Sequence, residues 1–440
     1  MAHIKPDFKS TPGPTSIEIR RCLGLDWLPE LIDLRRLVWE QETGLLSEEK
    51  LVDDNDRQGV HFLVYDSTNN NRLVASTCAV LAERSNFAAH TRLPEKVLRE
   101  TMVSTRSTVH PDYRGNGLFS LLVYLAGREG RMQERRWLAA YMEPGMAAGR
   151  KVSGARNLEK VASRRVEGRD GSYEVVTIAE DVNYVMSNSF RRIPEHLHPY
   201  LRETFFVDEV VGEVMSGARR FYEGPWFKAV ENGELTRRQY ITTLAEMHTY
   251  VRWTTRLLGT VIGITSDPEL RKHYLRHLGG EIDHEVMLEN DIDQLGFDVD
   301  YIKNHHSPSE HIRTFMSLQE SLSFGPRRDP SLFLAAPFAA EALSAFLKKE
   351  FVEKLSRNIA SWGVDNPSRA MTFITSHADF DGGTDGHWEA MRRILHRHLK
   401  GERELREFLS IVRLAQNSLL RAFSSFVEGT DIFAASPLES

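Results

Sequence analysis

Up to about residue 185, short alternating runs and helical stretches take turns along the chain. Ile17-Glu18-Ile19-Arg20 alternates apolar and polar side chains, which predicts a strand. From Trp27 to Glu42 the residues Leu28, Leu31, Leu34, Leu37 and Val38 recur at helical spacing. The runs 61–66 and 72–81 flank the polar turn Ser67-Thr68-Asn69-Asn70-Asn71, which predicts a hairpin. Further strands are predicted at 102–110, 137–142, 159–166 and 172–178, with an amphipathic helix over 118–133. Beyond residue 210 the alternation stops. Helical spacing predicts helices at about 210–231, 235–263, 267–278, 279–295, 308–322, 331–358, 366–379 and 386–427. Thr236 opens the second of these, and Asp329-Pro330 and Asp365-Asn366-Pro367-Ser368 punctuate later starts. The expected fold class is multidomain: an α/β domain with a mixed sheet, then an all-α helical bundle. The boundaries are a flexible N-terminus over 1–15, a first domain over 16–187, a linker over 188–209 around Pro194 and Pro199, and a second domain over 210–430.

Composition narrows the classes. The 440 residues are 41% hydrophobic and 27% charged, ordinary for a soluble globular protein. A net charge of -6 gives no reason to invoke nucleic acid or an anionic membrane. Cys22 and Cys78 are the only cysteines, so neither a disulfide framework nor a thiolate-bound cluster is expected. That usage, with no apolar signal segment near Met1 and no run long enough to span a bilayer, sets the expectation of a cytoplasmic protein.

The helical half carries the densest chemistry. Glu281 and His284 stand three apart in Gly280-Glu281-Ile282-Asp283-His284, a spacing that puts both on one helix face. Glu341 sits in an apolar run with Leu332, Phe333, Leu334, Phe338 and Leu343, where a carboxylate is costly unless paired or bound to a cation. His377 and Asp381 stand four apart, and His387 follows in Gly386-His387-Trp388. Carboxylates and imidazoles projecting inward from helices are how a bundle builds a non-haem iron site, and the absence of thiolate suits iron or manganese. The order Glu-x-x-His, lone Glu, His-x-x-x-Asp and final His resembles the haem-oxygenase-like diiron oxidases, relatives of the TenA and PqqC folds, over about residues 215–425. The resemblance implies six ligands, Glu281, His284, Glu341, His377, Asp381 and His387, holding Fe(II), expected as a pair, for reaction with O2. One departure is the wider spacing from Asp381 to His387, through Gly382-Gly383-Thr384-Asp385-Gly386.

In the first half, Val109-His110-Pro111-Asp112-Tyr113-Arg114-Gly115-Asn116-Gly117 runs from a predicted strand into a predicted helix. Glycines there let backbone amides approach a pyrophosphate, and the helix N-terminus favours the anion. The stretch resembles the acyl-CoA loop of GNAT acyltransferases, nearest to the N-acyl amino acid and autoinducer synthases, over about residues 16–185. Arg114, Gly115 and Gly117 match in type, although Arg114 abuts Gly115 and Phe119 replaces a usual small residue. The resemblance implies acyl-CoA or another acyl thioester as donor. A base is needed for the amine, and Glu143 after the 137–142 strand is the candidate, with Glu40 and Glu42 as others. The expectation is a bifunctional biosynthetic enzyme: a non-haem diiron N-oxygenase acting on a small amine or amino acid, with a GNAT-like domain that acylates it, forming a homodimer. The alternative is an oxidative decarboxylase or lyase of a fatty or amino acid, with a non-catalytic GNAT-like domain.

Overall fold

Seven strands form one sheet in the order β1-β2-β3-β4-β5-β7-β6: β1 Ile17–Leu23, β2 Val60–Asp66, β3 Arg72–Leu81, β4 Thr101–Val109, β5 Trp137–Met142, β6 Glu159–Gly168 and β7 Gly171–Asp181. The computed structural model describes residues 14–24, 28–91, 93–142, 159–168, 171–381 and 387–427. Of the segment 1–15 expected to be flexible, residues 1–13 lie outside the described residues, as does Glu143. The chain divides into one unit ending at Tyr200 and a second starting at Leu201.

In the first unit every strand pair is antiparallel except β4 with β5. That parallel pair is bonded only where Thr101 to Ser104 face Trp137 to Ala140, although β4 continues to Val109. The unpaired ends leave an opening in the sheet. On the other side of β4 the register with β3 shifts between Ser76 and Cys78, and nearby Arg106 takes φ +56°. A non-glycine residue held there is a local strain that its surroundings must sustain. Helix α1 (Leu28–Arg35) is tied down by a buried ion pair, in which Arg35 donates to both oxygens of Asp56 at 2.9 and 2.8 Å. The predicted 27–42 helix changes after Arg35 into a π-helical stretch, Arg36–Glu42. Helix α2 (Leu118–Met132) joins β4 to β5 and is buried along most of its length. Helix α3 (Val182–Phe190) follows β7, with Asp181 accepting from the amides of Asn183 and Tyr184.

The second unit is helical throughout its described residues: α4 Val207–Tyr222, α5 Pro225–Asn232, α6 Arg237–Ile264, α7 Pro268–Glu281, α8 His284–Gln294, α9 Glu310–Ser323, α10 Ala335–Ala345, α11 Lys349–Ser361, α12 Thr372–Asp381, α13 His387–His398 and α14 Glu402–Val427, with shorter turns between. The fold class is therefore a mixed-sheet α/β unit followed by an all-α unit. Several long predicted helices are divided. Gly224-Pro225 splits 210–231, because proline at the first helical position starts a new helix. The run 331–358 breaks after Ala345, and 386–427 breaks between His398 and Glu402. The stretch 188–209 contains the end of α3, short helical turns and the start of α4. Thr236 caps α6 with the reciprocal Gln239 contact. The aromatic rings of Tyr240, Tyr274, Phe315, Phe333, Phe338 and Phe408 are fully buried in this unit's core.

Candidate functional site

Two helix ends bring the predicted ligands together. The helix expected over 279–295 breaks at Ile282 and Asp283, so Glu281 closes α7 and His284 opens α8. The two side chains still meet: His284 Nδ1 lies 2.8 Å from Glu281 Oε2. His277, one turn earlier on α7, points its Nε2 at Glu281 Oε1 (3.3 Å) and at Glu341 Oε1 on α10 (3.1 Å). His387, first residue of α13, places Nδ1 at 3.7 Å from Glu281 Oε1 and 3.9 Å from Glu341 Oε1. His377 on α12 sets its ring centroid 4.2 Å from that of His284, with the planes tilted by 47°. Its Nδ1 donates to the Phe373 carbonyl (2.9 Å), which fixes the tautomer and leaves Nε2 as an acceptor.

These groups form two pockets with Glu281 in common. Donor atoms of His277, Glu281, Glu341 and His387 all lie within 4.8 Å of one another, and so do those of Glu281, His284 and His377. Oε1 of Glu281 faces the first pocket and Oε2 the second. One carboxylate spanning two donor groups is the arrangement of a bridging ligand. Asp381 lies on α12, four residues after His377, and its side chain is outside the described residues. Gly280 makes room for His387, since a Cβ there would stand 2.5 Å from its Nε2.

The electrostatics fit a cation. Glu281 and Glu341 are buried, and among the described residues only imidazoles pair with them. Burial opposes charge on both, yet the His277 hydrogen bond to Glu341, and for Glu281 the closeness of His277 together with the hydrogen bond from His284, hold their pKa values below the ordinary range. Burial would likewise push His277 down, but the two carboxylates outweigh it and raise it to about 10. His387 is lowered to about 4 by burial and by His277, and His377 is lowered by burial and by His284. Oε1 of Glu281 and Nδ1 of His277 are buried without a hydrogen bond. Two buried carboxylates neutralised only by imidazole, with donor atoms left over, suit one or two divalent metal ions.

The sequence reading missed His277. The signal available was spacing: His277, Glu281 and His284 recur at four and three residues. Glu285 and Glu289 instead form a separate group with His248, in which Arg252 and Lys303 already pair with the carboxylates.

The opening in the sheet of the first unit is a cleft of about 710 Å³. Ser104, Thr105 and Arg106 of β4 line it on one side and Ala140, Tyr141 and Met142 of β5 on the other. Arg114, Gly115 and Gly117 reach its rim with the first turn of α2. Gly115 and Gly117 take φ +80° and +73°, left-handed values that glycine adopts at no steric cost. At Gly117 a Cβ would also stand 2.6 Å from Pro194 Cδ. The helix start leaves its first amides without internal partners, a ready anion site. Arg114 does not wait free. Glu42 accepts from both its terminal nitrogens at 2.6 Å. Inside the cleft, Arg106 donates to Asp53 at 3.1 Å, and Glu180, a buried carboxylate the sequence reading passed over, lines the wall.

No protein-family model and no curated protein matches the chain. Solved structures are similar to parts of the chain. A domain of unknown function with a haem oxygenase-like fold from Shewanella denitrificans is 18% identical with a TM-score of 0.43, covering 50% of this chain and 91% of its own. A TenA homologue from Pseudomonas syringae is 11% identical with a TM-score of 0.43, covering 51% and 93%. An N-acetyltransferase from Staphylococcus aureus is 14% identical with a TM-score of 0.28, covering 38% and 99%.

Proposed function

We propose that the chain is a bifunctional enzyme: its helical unit is an O2-dependent non-haem iron oxidase of a small amine or amino acid, and its sheet unit acylates that molecule from an acyl thioester. The observation that supports it most is Glu281, buried, with one oxygen turned to each of two donor groups. His277, Glu341 and His387 would hold one ion, and His284 and His377 the other, with Asp381 following on the same helix. Bound Fe(II) would supply the electrons that make O2 reactive toward the substrate. The protein's own part is to fix donor geometry. The Phe373 carbonyl orients His377 on α12, and helices α7, α8, α10 and α13 bury the other donors. In the sheet unit the amides at Gly115 to Phe119 would hold the pyrophosphate of a CoA donor, and the cleft would take its pantetheine arm and the amine.

The test is elemental analysis of the full chain after anaerobic Fe(II) loading. About two irons per chain are expected. No iron uptake, or uptake unaltered by Glu341→Ala, overturns the oxidase. A second reading is oxidative decarboxylation of a fatty or amino acid, with the sheet unit binding a thioester without turnover. The Glu42–Arg114 pair favours it, since it occupies the cation expected for the donor. Product mass separates the two: a gained oxygen against a lost CO2.

A further inference from the structure

Beside the donor cluster the helical unit has a chamber of about 130 Å³, partly open to solvent. Its inner end is His277, Glu281, Glu341 and His377. Its far wall is an aromatic cage in which Phe227 packs against Phe221, Trp226 and Phe351 at ring separations of 5.0, 5.1 and 4.6 Å. Two polar atoms of the lining are already used. Trp226 Nε1 donates to Thr243 Oγ1 at 2.9 Å, and Thr254 Oγ1 donates to the Tyr250 carbonyl at 3.1 Å.

Gln319 on α9 is different. It is 4% exposed, borders the chamber, and its carboxamide has no hydrogen-bond partner among the described residues. An amide that borders the chamber with no protein partner is free to pair with a ligand there. Among the described residues the chamber has no lysine or arginine lining it, and its carboxylates are the ones a metal would claim. A free amino acid would thus bring in an ammonium with no anion to meet it, an expensive burial.

We infer that the chamber takes an N-acylated amine, with the acyl chain in the aromatic cage, the amide paired to Gln319, and the former amine end toward the donor cluster. The Gln319 carboxamide offers one acceptor and N–H donors, the complement of a secondary amide. The inference rests on the proposed oxidase and fixes the order of its two steps: acylation comes first. In that step the amine nitrogen attacks the thioester carbonyl. The C–N bond forms, the C–S bond breaks, and the amine proton leaves with the thiolate as free thiol. The product is neutral at nitrogen, as the chamber requires.

The test is anaerobic calorimetric titration of the Fe(II)-loaded full chain with N-methylhexanamide, hexylamine, hexanoic acid and glycine. N-methylhexanamide is expected to bind at least about tenfold more tightly than the other three, the scale of one buried amide pairing. Gln319→Leu is expected to remove that advantage while iron content and melting temperature stay as in the wild type. If Gln319→Leu does not fold, Gln319→Glu is read in its place. Equal or tighter binding of hexylamine, hexanoic acid or glycine overturns the inference, and so does an unchanged affinity for the amide in the variant. Iron content, measured on the same samples, separates the two levels. An iron-loaded chain that prefers a charged probe sinks the order of steps alone, whereas a chain that takes up no iron sinks the oxidase with it.

Discussion

Glu281 offers one oxygen to each donor group, so its removal cannot be confined to one of them. Glu281→Ala is expected to drop iron from about two to fewer than one per chain, whereas His284→Ala, which touches only the second group, keeps about one. Iron analysis of the two variants after identical loading checks this, and equal losses would mean that the carboxylate is not shared. A smaller effect is expected at Glu42. Its pair with Arg114 is about one-third exposed on both sides, so the ion pair is worth at most about 1 kcal/mol. Any thioester whose pyrophosphate needs Arg114 must break the pair first. Glu42→Gln is therefore expected to tighten CoA binding by up to about fivefold, read by titration calorimetry. Weaker binding in the variant would show that Glu42 itself contacts the donor.

The helix that carries His377 is held at its start by a different helix. Asp291 of α8, fully buried, accepts from the backbone N–H of Thr372 and of Phe373, at 2.9 Å each, and from the Thr372 hydroxyl. It is a cap supplied in space rather than in sequence, so no motif beside Thr372 announces it. Asp291→Ala is expected to cost about 1–2 kcal/mol of stability and to loosen His377. Chemical denaturation and iron content measure the two effects. The pH dependence has a definite sign. Burial pushes the Asp291 carboxyl from the ordinary 3.8 up to about 6, against the pull of its three donors. Between these values the folded chain holds more proton than the unfolded chain, so this group's contribution to stability falls as pH rises through about 4 to 6. Asp291→Asn removes that slope. A denaturation series across the window that shows the same slope in the variant would refute the assignment. Helix α7 shows why the centre was only partly legible. Its buried face is Leu270, His273, Tyr274, His277 and Glu281, while Arg271, Lys272 and Arg276 cover the rest. A face that buries two imidazoles and a carboxylate beside Leu270 and Tyr274 makes a weak apolar stripe, so His277 reads as one more solvated residue. Glu341 stood out for the opposite reason, since its neighbours on α10 are apolar.

At the scale of the whole chain, the switch from alternating to helical spacing was visible because a sheet and a bundle bury their faces at different periods. The strands of the first unit were read from the residues within a few positions of their ends. What stayed hidden depends on tertiary placement: the parting of β4 from β5, the left-handed Arg106, and the Glu42–Arg114 pair between residues 72 apart. Two compact units, each with its own candidate site, lead to a last expectation. A ligand stabilises the part of a protein that binds it, by an amount that grows with its concentration over Kd. CoA should act through residues before Tyr200 and Fe(II) through residues after Leu201. Scanning calorimetry of the intact chain is therefore expected to show two transitions, one raised by CoA alone and the other by Fe(II) alone. At a hundredfold excess over Kd each shift corresponds to about 2.7 kcal/mol, several degrees for units of this size. A single transition raised by both ligands would mean that the two halves unfold as one cooperative body, and the sites would then be linked in stability even though each is built from its own half.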